Sequence, residues 1–235
     1  MRIADKKAIV LLLILLLHVC YASAQEGIKE SEKPRNLKVL REYDDGRGNM
    51  VREIQYSQGS MRVTETIYIP KVKTGINVRV AISPDTVNKD SVWLLVDKTK
   101  YLVQVYYKKR PIRGYRAVFG PNPKVNKCME GDRCTPEGWF KIADKRNSSK
   151  YNKFMLLNYP NEKSYEQFKK LKEKGSIPAN ARIGGDVGIH GIWPGGDDMI
   201  EMGVGWTDGC IAMKNKDVDD LYKWVHVGMR VYIRK

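Results

Sequence analysis

The stretch GVGWTDGCIAMKN, residues 203–215, sets Cys210 behind a glycine and an aspartate and shortly before Asn215, a polar residue able to cap a helix. A cysteine becomes a nucleophile when a neighbouring base holds or takes its proton, and histidine is the usual base. The chain offers three histidines. His18 lies in an N-terminal segment that reads as a cleaved leader. His226 sits beside Trp224 and Val225 at the end of a helical run, where the helix dipole favours it for reasons unrelated to catalysis. His190 lies in GIHGIW, a β-prone run ending in glycines, 20 residues before Cys210. A glycine-rich loop joins the two segments and can lay them side by side, so Cys210 and His190 are the candidate nucleophile and base. Trp193 and Trp206 flank this pair, with a peptide groove and core packing as equal readings. The GGDD stretch at residues 195–198 lacks a second histidine or carboxylate cluster nearby, so no metal site is assigned.

A free thiol is unexpected in an exported protein, and export is what the first residues indicate. Arg2, Lys6 and Lys7 form a positive head, Ala8 to Val19 is almost wholly apolar, and Ala22-Ser23-Ala24 supplies the small residues of a cleavage site. Residues 1–24 are therefore expected to be a signal peptide, with an apolar run too short to span a bilayer comfortably. The expected location is periplasmic or elsewhere in the cell envelope. Cleavage would remove Cys20 and take the 235-residue chain to 211 residues and its formal charge from +15 to +13. Such a surplus suits anionic envelope polymers or a solvated basic surface. Nucleic acid is not expected as a partner, because the chain is exported and carries neither zinc-finger spacing nor an RNP-like aromatic motif. Of the three cysteines left, Cys128 and Cys134 are close enough to bridge across the CMEGDRC turn in an oxidising compartment. Cys210 is then unpaired, which directs attention to its base.

The elements that must position these groups are mostly strands. Residues 25–37 are polar and charged. Residues 37–70 contain three runs rich in Val, Ile, Tyr and Thr, split by DDGRGN and SQGS, which predicts a small antiparallel meander. After a linker, VWLLVD and YLVQVYY flank the turn DKTK, and IRGYRAVFG, TPEGWFKI, KFMLLNYP and VGIHGIW are further short apolar runs. Two helices are predicted. One covers residues 162–175, with Tyr165, Phe168 and Leu171 at three-residue spacing and Gly175 as its stop. The other covers residues 216–228, with Val218, Leu221, Tyr222 and Val225 on one face, Asn215 as N-cap and Gly228 as stop. The fold class is mainly β, with a few surface helices.

His190-Gly191, TDGC at 207–210 and Asn215 together resemble the L,D-transpeptidase catalytic domain family of the YkuD type. The likeness runs over residues 91–235 and includes VWLLVDKTKYLVQVY, similar to the family's opening hairpin, and TPEGWF, similar to its Thr-Pro-x-Gly-x-Phe stretch. It implies a β-sandwich or barrel catalytic domain at 91–235, preceded by an N-terminal extension at 25–90. It also implies Cys210 as nucleophile, His190 as base, the Gly191 backbone carbonyl as the group that fixes the imidazole, and the Gly209 amide, with that of Cys210, as oxyanion donor. Trp206, Thr207, Asp208 and Trp193 are then assigned to substrate binding. Two departures bear on substrate handling: Asp208 stands where the family usually has histidine, and Ala212 where it commonly has arginine. The implied activity is acyl transfer on peptidoglycan stem peptides through a thioester, with no metal or organic cofactor. An L,D-carboxypeptidase or crosslink-cleaving amidase using the same site is the first alternative, and a non-catalytic envelope-binding module the second.

Overall fold

A computed structural model describes residues 34–46, 48–70 and 77–235. The expected signal peptide, Cys20 and most of the polar leader lie outside the described residues. The described chain falls into two compact units, one ending at residue 42 and resuming at 52–66, the other comprising 43–51 and 67–235.

The predicted meander is present as β1 (Arg35–Asp44), β2 (Asn49–Gln58) and β3 (Met61–Pro70), paired in the order β1-β2-β3. Its first turn is closed by Asp45, whose carboxylate accepts the Asn49 amide at 2.9 Å. Strand β2 buries Val51, Ile54 and Tyr56, while β1 is almost wholly exposed. Cross-strand pairs Arg41–Glu53 and Arg52–Glu42 tie the two together.

The larger body is a closed eight-stranded barrel. Its strands are β4 (Val92–Asp97), β5 (Leu102–Tyr107), β6 (Arg110–Val118), β7 (Gly138–Ser148), β8 (Asn152–Leu157), β9 (Gly188–His190), β10 (Ile211–Met213) and β11 (Arg230–Arg234). They close in the order β10-β6-β5-β4-β11-β7-β8-β9. Two neighbouring pairs are parallel, β4 with β11 and β9 with β10. Alternate residues point inward, and Leu94, Val96, Val103, Val105, Phe140, Ile142, Ile189, Ile211, Val231 and Ile233 form a continuous core.

Among the described residues three α-helices accompany the barrel strands: α1 (Glu162–Glu173), α2 (Asp197–Glu201) and α3 (Asn215–Trp224). Asn161 caps α1 by accepting the Ser164 amide at 3.1 Å, and no residue of α1 is buried. Helix α2 was not expected and falls in the GGDD stretch. Helix α3 lays Val218, Leu221 and Trp224 into the core. It begins one residue earlier and ends four residues earlier than the periodicity predicts, because Val225 is already extended. Its N-cap is Lys214 rather than Asn215.

A long loop, residues 119–137, connects β6 to β7 and is pinned from beneath by Lys98. That side chain is fully buried, and its Nζ donates to the carbonyls of Val125 at 2.8 Å and Thr135 at 3.0 Å and pairs with Glu137 at 2.7 Å. Burial pulls the Lys98 pKa down, while its bond to Glu137 works the other way. An ammonium in such a place persists because it is paired and hydrogen-bonded.

Candidate active site

The three-residue strands β9 and β10 lie side by side, with His190 ending the first and Cys210 immediately preceding the second. Their parallel register sets Ile211 against Ile189 and Ala212 against His190. Side chains alternate along a strand, so His190 shares a face with Ala212 and with Cys210, two residues earlier. The loop between them, which includes α2, returns the chain to the neighbouring strand.

His190 is 3% exposed. Its ring stacks on Tyr151 at 4.5 Å and on Phe154 at 5.7 Å, and meets Trp206 edge-on at 5.7 Å. This aromatic enclosure strips water from the imidazole and pulls its pKa down to about 4. Nδ1 lies 2.6 Å from the Gly191 carbonyl oxygen. A carbonyl can only accept, so Nδ1 carries the proton and Nε2 keeps its lone pair.

Position 191 is shaped around that bond. A Cβ there would lie 2.3 Å from Asn215 Oδ1 and 2.6 Å from the Tyr151 carbonyl oxygen. Asn215 Oδ1 accepts the Ile192 amide at 3.0 Å, and the Asn215 amide donates to Asp197 at 3.2 Å. Asn215 therefore holds the segment after the histidine, and Asp197 of the GGDD stretch seats Asn215.

Cys210 is partly exposed. Its thiol donates to the Asp186 carbonyl at 3.5 Å. Burial pushes its pKa up to about 11, helped by the charges of Asp208 and Asp186, while the Gly188 amide and Lys127 pull the other way. The turn before it is braced by Thr207, which is buried and donates from Oγ1 to the Cys210 carbonyl at 2.7 Å. The same oxygen accepts the Gly209 amide at 3.4 Å. Gly209 has φ 130°, and a Cβ there would meet the Cys134 carbonyl oxygen at 2.6 Å, so the position admits no side chain. Asp208 is exposed and turned outward, where Arg133 donates to it at 3.0 Å.

The model of the L,D-transpeptidase catalytic domain matches residues 91–233, from the residue before the barrel's first strand into its last strand. The chain belongs to this family. Its fold resembles solved L,D-transpeptidases at low identity. An L,D-transpeptidase segment from Xylanimonas cellulosilytica is 16% identical with a TM-score of 0.40, covering 66% of this chain and 63% of that one. L,D-transpeptidase 3 from Mycobacterium tuberculosis is 10% identical with a TM-score of 0.42, covering 78% and 68%. The catalytic domain of the Enterococcus faecium enzyme is 14% identical with a TM-score of 0.41, covering 62% and 98%. This chain thus spans under two thirds of the Xylanimonas segment's length. No curated protein matches the chain.

Within this L,D-transpeptidase domain, the remaining expected residues fall in different places. Trp206 is buried and packs against His190 and, at 4.9 Å, against Trp193, which is partly exposed. Thr207 braces the turn from inside, and Ala212 is buried. His226 lies past the end of α3, with Nδ1 3.0 Å from the Val227 carbonyl and Nε2 3.2 Å from that of Lys89, away from Cys210. The expected bridge between Cys128 and Cys134 is not formed: both cysteines are free. Their turn is organised around Asp132 instead, whose carboxylate accepts the amides of Cys128 at 2.6 Å, Met129 at 3.0 Å and Cys134 at 2.9 Å. The thiols turn to the carbonyls of Asn126 and Asp132 respectively.

Tyr151 and Phe154 were not anticipated. They belong to the turn and first residues of the β7–β8 hairpin, and nothing in SSKYNKF marks them as neighbours of a histidine 36 residues or more further on. The Tyr151 hydroxyl is pushed up to about 12 by burial and then by the charges of Cys210 and Asp208. It stands within electrostatic reach of the thiol while its ring supports the imidazole.

Proposed function

We propose that this protein is an exported cysteine acyltransferase that acts on peptidoglycan stem peptides through a thioester on Cys210. The observation that carries this reading is the bond from His190 Nδ1 to the Gly191 carbonyl, which leaves Nε2 as a base on the face shared with Cys210. With the imidazole pKa near 4 and the thiol near 11, both groups are neutral at neutral pH. The thiol proton therefore passes to Nε2 as the sulfur attacks the amide carbon, rather than resting on a preformed ion pair.

The S–C bond forms as the carbonyl π electrons move to oxygen, and the amides of Gly209 and Cys210 stabilise that oxyanion. The long contact from Gly209 to Thr207 is weak enough to be exchanged for it. Collapse breaks the C–N bond, and the imidazolium returns its proton to the leaving amine. An acceptor amine then resolves the thioester to a crosslink; water in the same position would give hydrolysis. The envelope location rests on the N-terminal leader, and residues 25–90 are read as an extension preceding the catalytic unit.

Incubating the protein with defined muropeptides and separating the products tests this. Dimeric products with loss of a terminal amino acid, absent for Cys210→Ala, are expected. Monomeric products alone would make the enzyme a hydrolase, and an inert wild-type protein whose Cys210 alkylates no faster than an exposed thiol would end the enzymatic reading.

A further inference from the structure

The turn that carries Cys210 packs backbone to backbone against the loop between β6 and β7. The Cys134 carbonyl oxygen abuts Gly209, and the Arg133 and Thr207 carbonyl oxygens both crowd Gly120. Within this loop Lys127 is 7% exposed, and its Nζ lies 3.8 Å from the position a Cβ on Gly209 would occupy. The loop thus delivers a desolvated ammonium to the glycine immediately before the nucleophile.

Its counter-ion is Asp132, at 2.9 Å. That carboxylate is already satisfied by three backbone amides, from Cys128, Met129 and Cys134. Burial pushes its pKa up, but Lys127 and the three amides outweigh burial and hold it below the ordinary carboxylate range. Of this ion pair it is Lys127 whose charge registers at Cys210, where it lowers the thiol pKa. The other groups whose charges couple to the sulfur are Asp208 on its own turn, Asp186 before β9 and Tyr151 from the β7–β8 turn. Asp208 and Asp186 both oppose negative charge on sulfur, and Lys127 is the cation that favours it. Ala212, buried and apolar on the same strand face, contributes none.

We infer that Lys127 is the electrostatic partner of Cys210, a cation supplied by the β6–β7 loop that stabilises the negative charge developing on the sulfur and on the adjacent oxyanion during acyl transfer. This rests on the acyl-transfer reading for the oxyanion, but its effect on the thiol stands apart from any substrate. Lys98 completes the device by pinning the same loop at Val125 and Thr135, on either side of Lys127.

The test is the pH profile of Cys210 alkylation by iodoacetamide, an uncharged reagent, followed by peptide-resolved mass spectrometry so that Cys128 and Cys134 are scored separately. Removing a cation raises a thiol pKa. Lys127→Met is expected to move the midpoint to higher pH by about 1 unit, with Lys127→Arg staying near wild type. On muropeptides, Lys127→Met should lower kcat about tenfold or more with little change in KM. Lys127→Gln provides a second neutral variant should the methionine variant fold poorly, and thermal melting reports folding for each. A folded neutral variant with an unshifted alkylation profile overturns the inference and leaves Lys127 a loop-holding residue. Absence of muropeptide turnover in wild type would remove the acyl-transfer reading, while the alkylation profile would still decide the role of Lys127.

Discussion

The imidazole of His190 is bound, 2.6 Å away, by the carbonyl of the very next residue, Gly191. The backbone itself fixes the tautomer, so no third side chain is needed to orient the imidazole. What must be held instead is the peptide plane of residues 191–192, and Asn215 does that through the Ile192 amide.

Asn215→Ala removes this acceptor and leaves a buried amide without a partner. We expect a stability loss of about 1–3 kcal/mol, read by denaturant unfolding, together with a drop of about tenfold in kcat as the imidazole loses its fixed orientation. Asn215→Asp keeps the acceptor oxygen and should recover much of both. Equal behaviour of the two variants would show that the side-chain oxygen is not what matters.

His190 predicts a pH dependence of stability. Its folded pKa, near 4, is below the unfolded value of 6.5, so between these values the unfolded chain binds a proton that the folded one refuses. Its contribution is present above pH 6.5 and is lost as pH falls towards 4, to a maximum of about 3 kcal/mol. Urea unfolding of wild type at pH 7.5 and 4.5 should differ by more than it does for His190→Gln. Parallel losses in the two proteins would exclude a buried neutral imidazole as the source.

Thr207→Val replaces the hydroxyl that bridges the Cys210 carbonyl and the Gly209 amide with a methyl of the same shape. A cost of about 1–2 kcal/mol is expected, with slower turnover because the amides facing the oxyanion are less firmly aimed. Thr207→Ser should restore turnover. Wild-type kcat in the valine variant would mean that strand pairing alone sets the turn.

Lys98→Met leaves Glu137 and two loop carbonyls without their shared donor. Breaking such a buried cluster costs about 3–5 kcal/mol. Limited proteolysis should then cut within residues 119–137, a region expected to resist in wild type. Protection equal to wild type would show that the loop is held by other contacts.

The two candidate groups, Cys210 and His190, stand out in the sequence because their signals are local: a thiol in a glycine turn and a histidine in a β-prone run. The hairpins and the meander were legible through alternation and turn residues. Lys127, Tyr151 and Phe154 were not, since each reaches the site from another part of the barrel and carries no local mark of doing so. Asn215 was recognised as a polar residue at a helix start but given the wrong partner, because its oxygen goes to Ile192 in the tertiary structure rather than to its own helix. The cysteine spacing suggested a bridge, whereas Asp132 between the two thiols gathers the amides that organise the turn. Helix α3 was overextended because Val225 continues the apolar pattern of the helix while its backbone is already extended.

Strands β9 and β10 are three residues each, and their pairing is the rung that shuts the barrel. Sulfur and imidazole arrive from opposite lips of that closure. If Cys210 alkylation proves to depend on His190, that dependence would report directly whether this strand pair has closed.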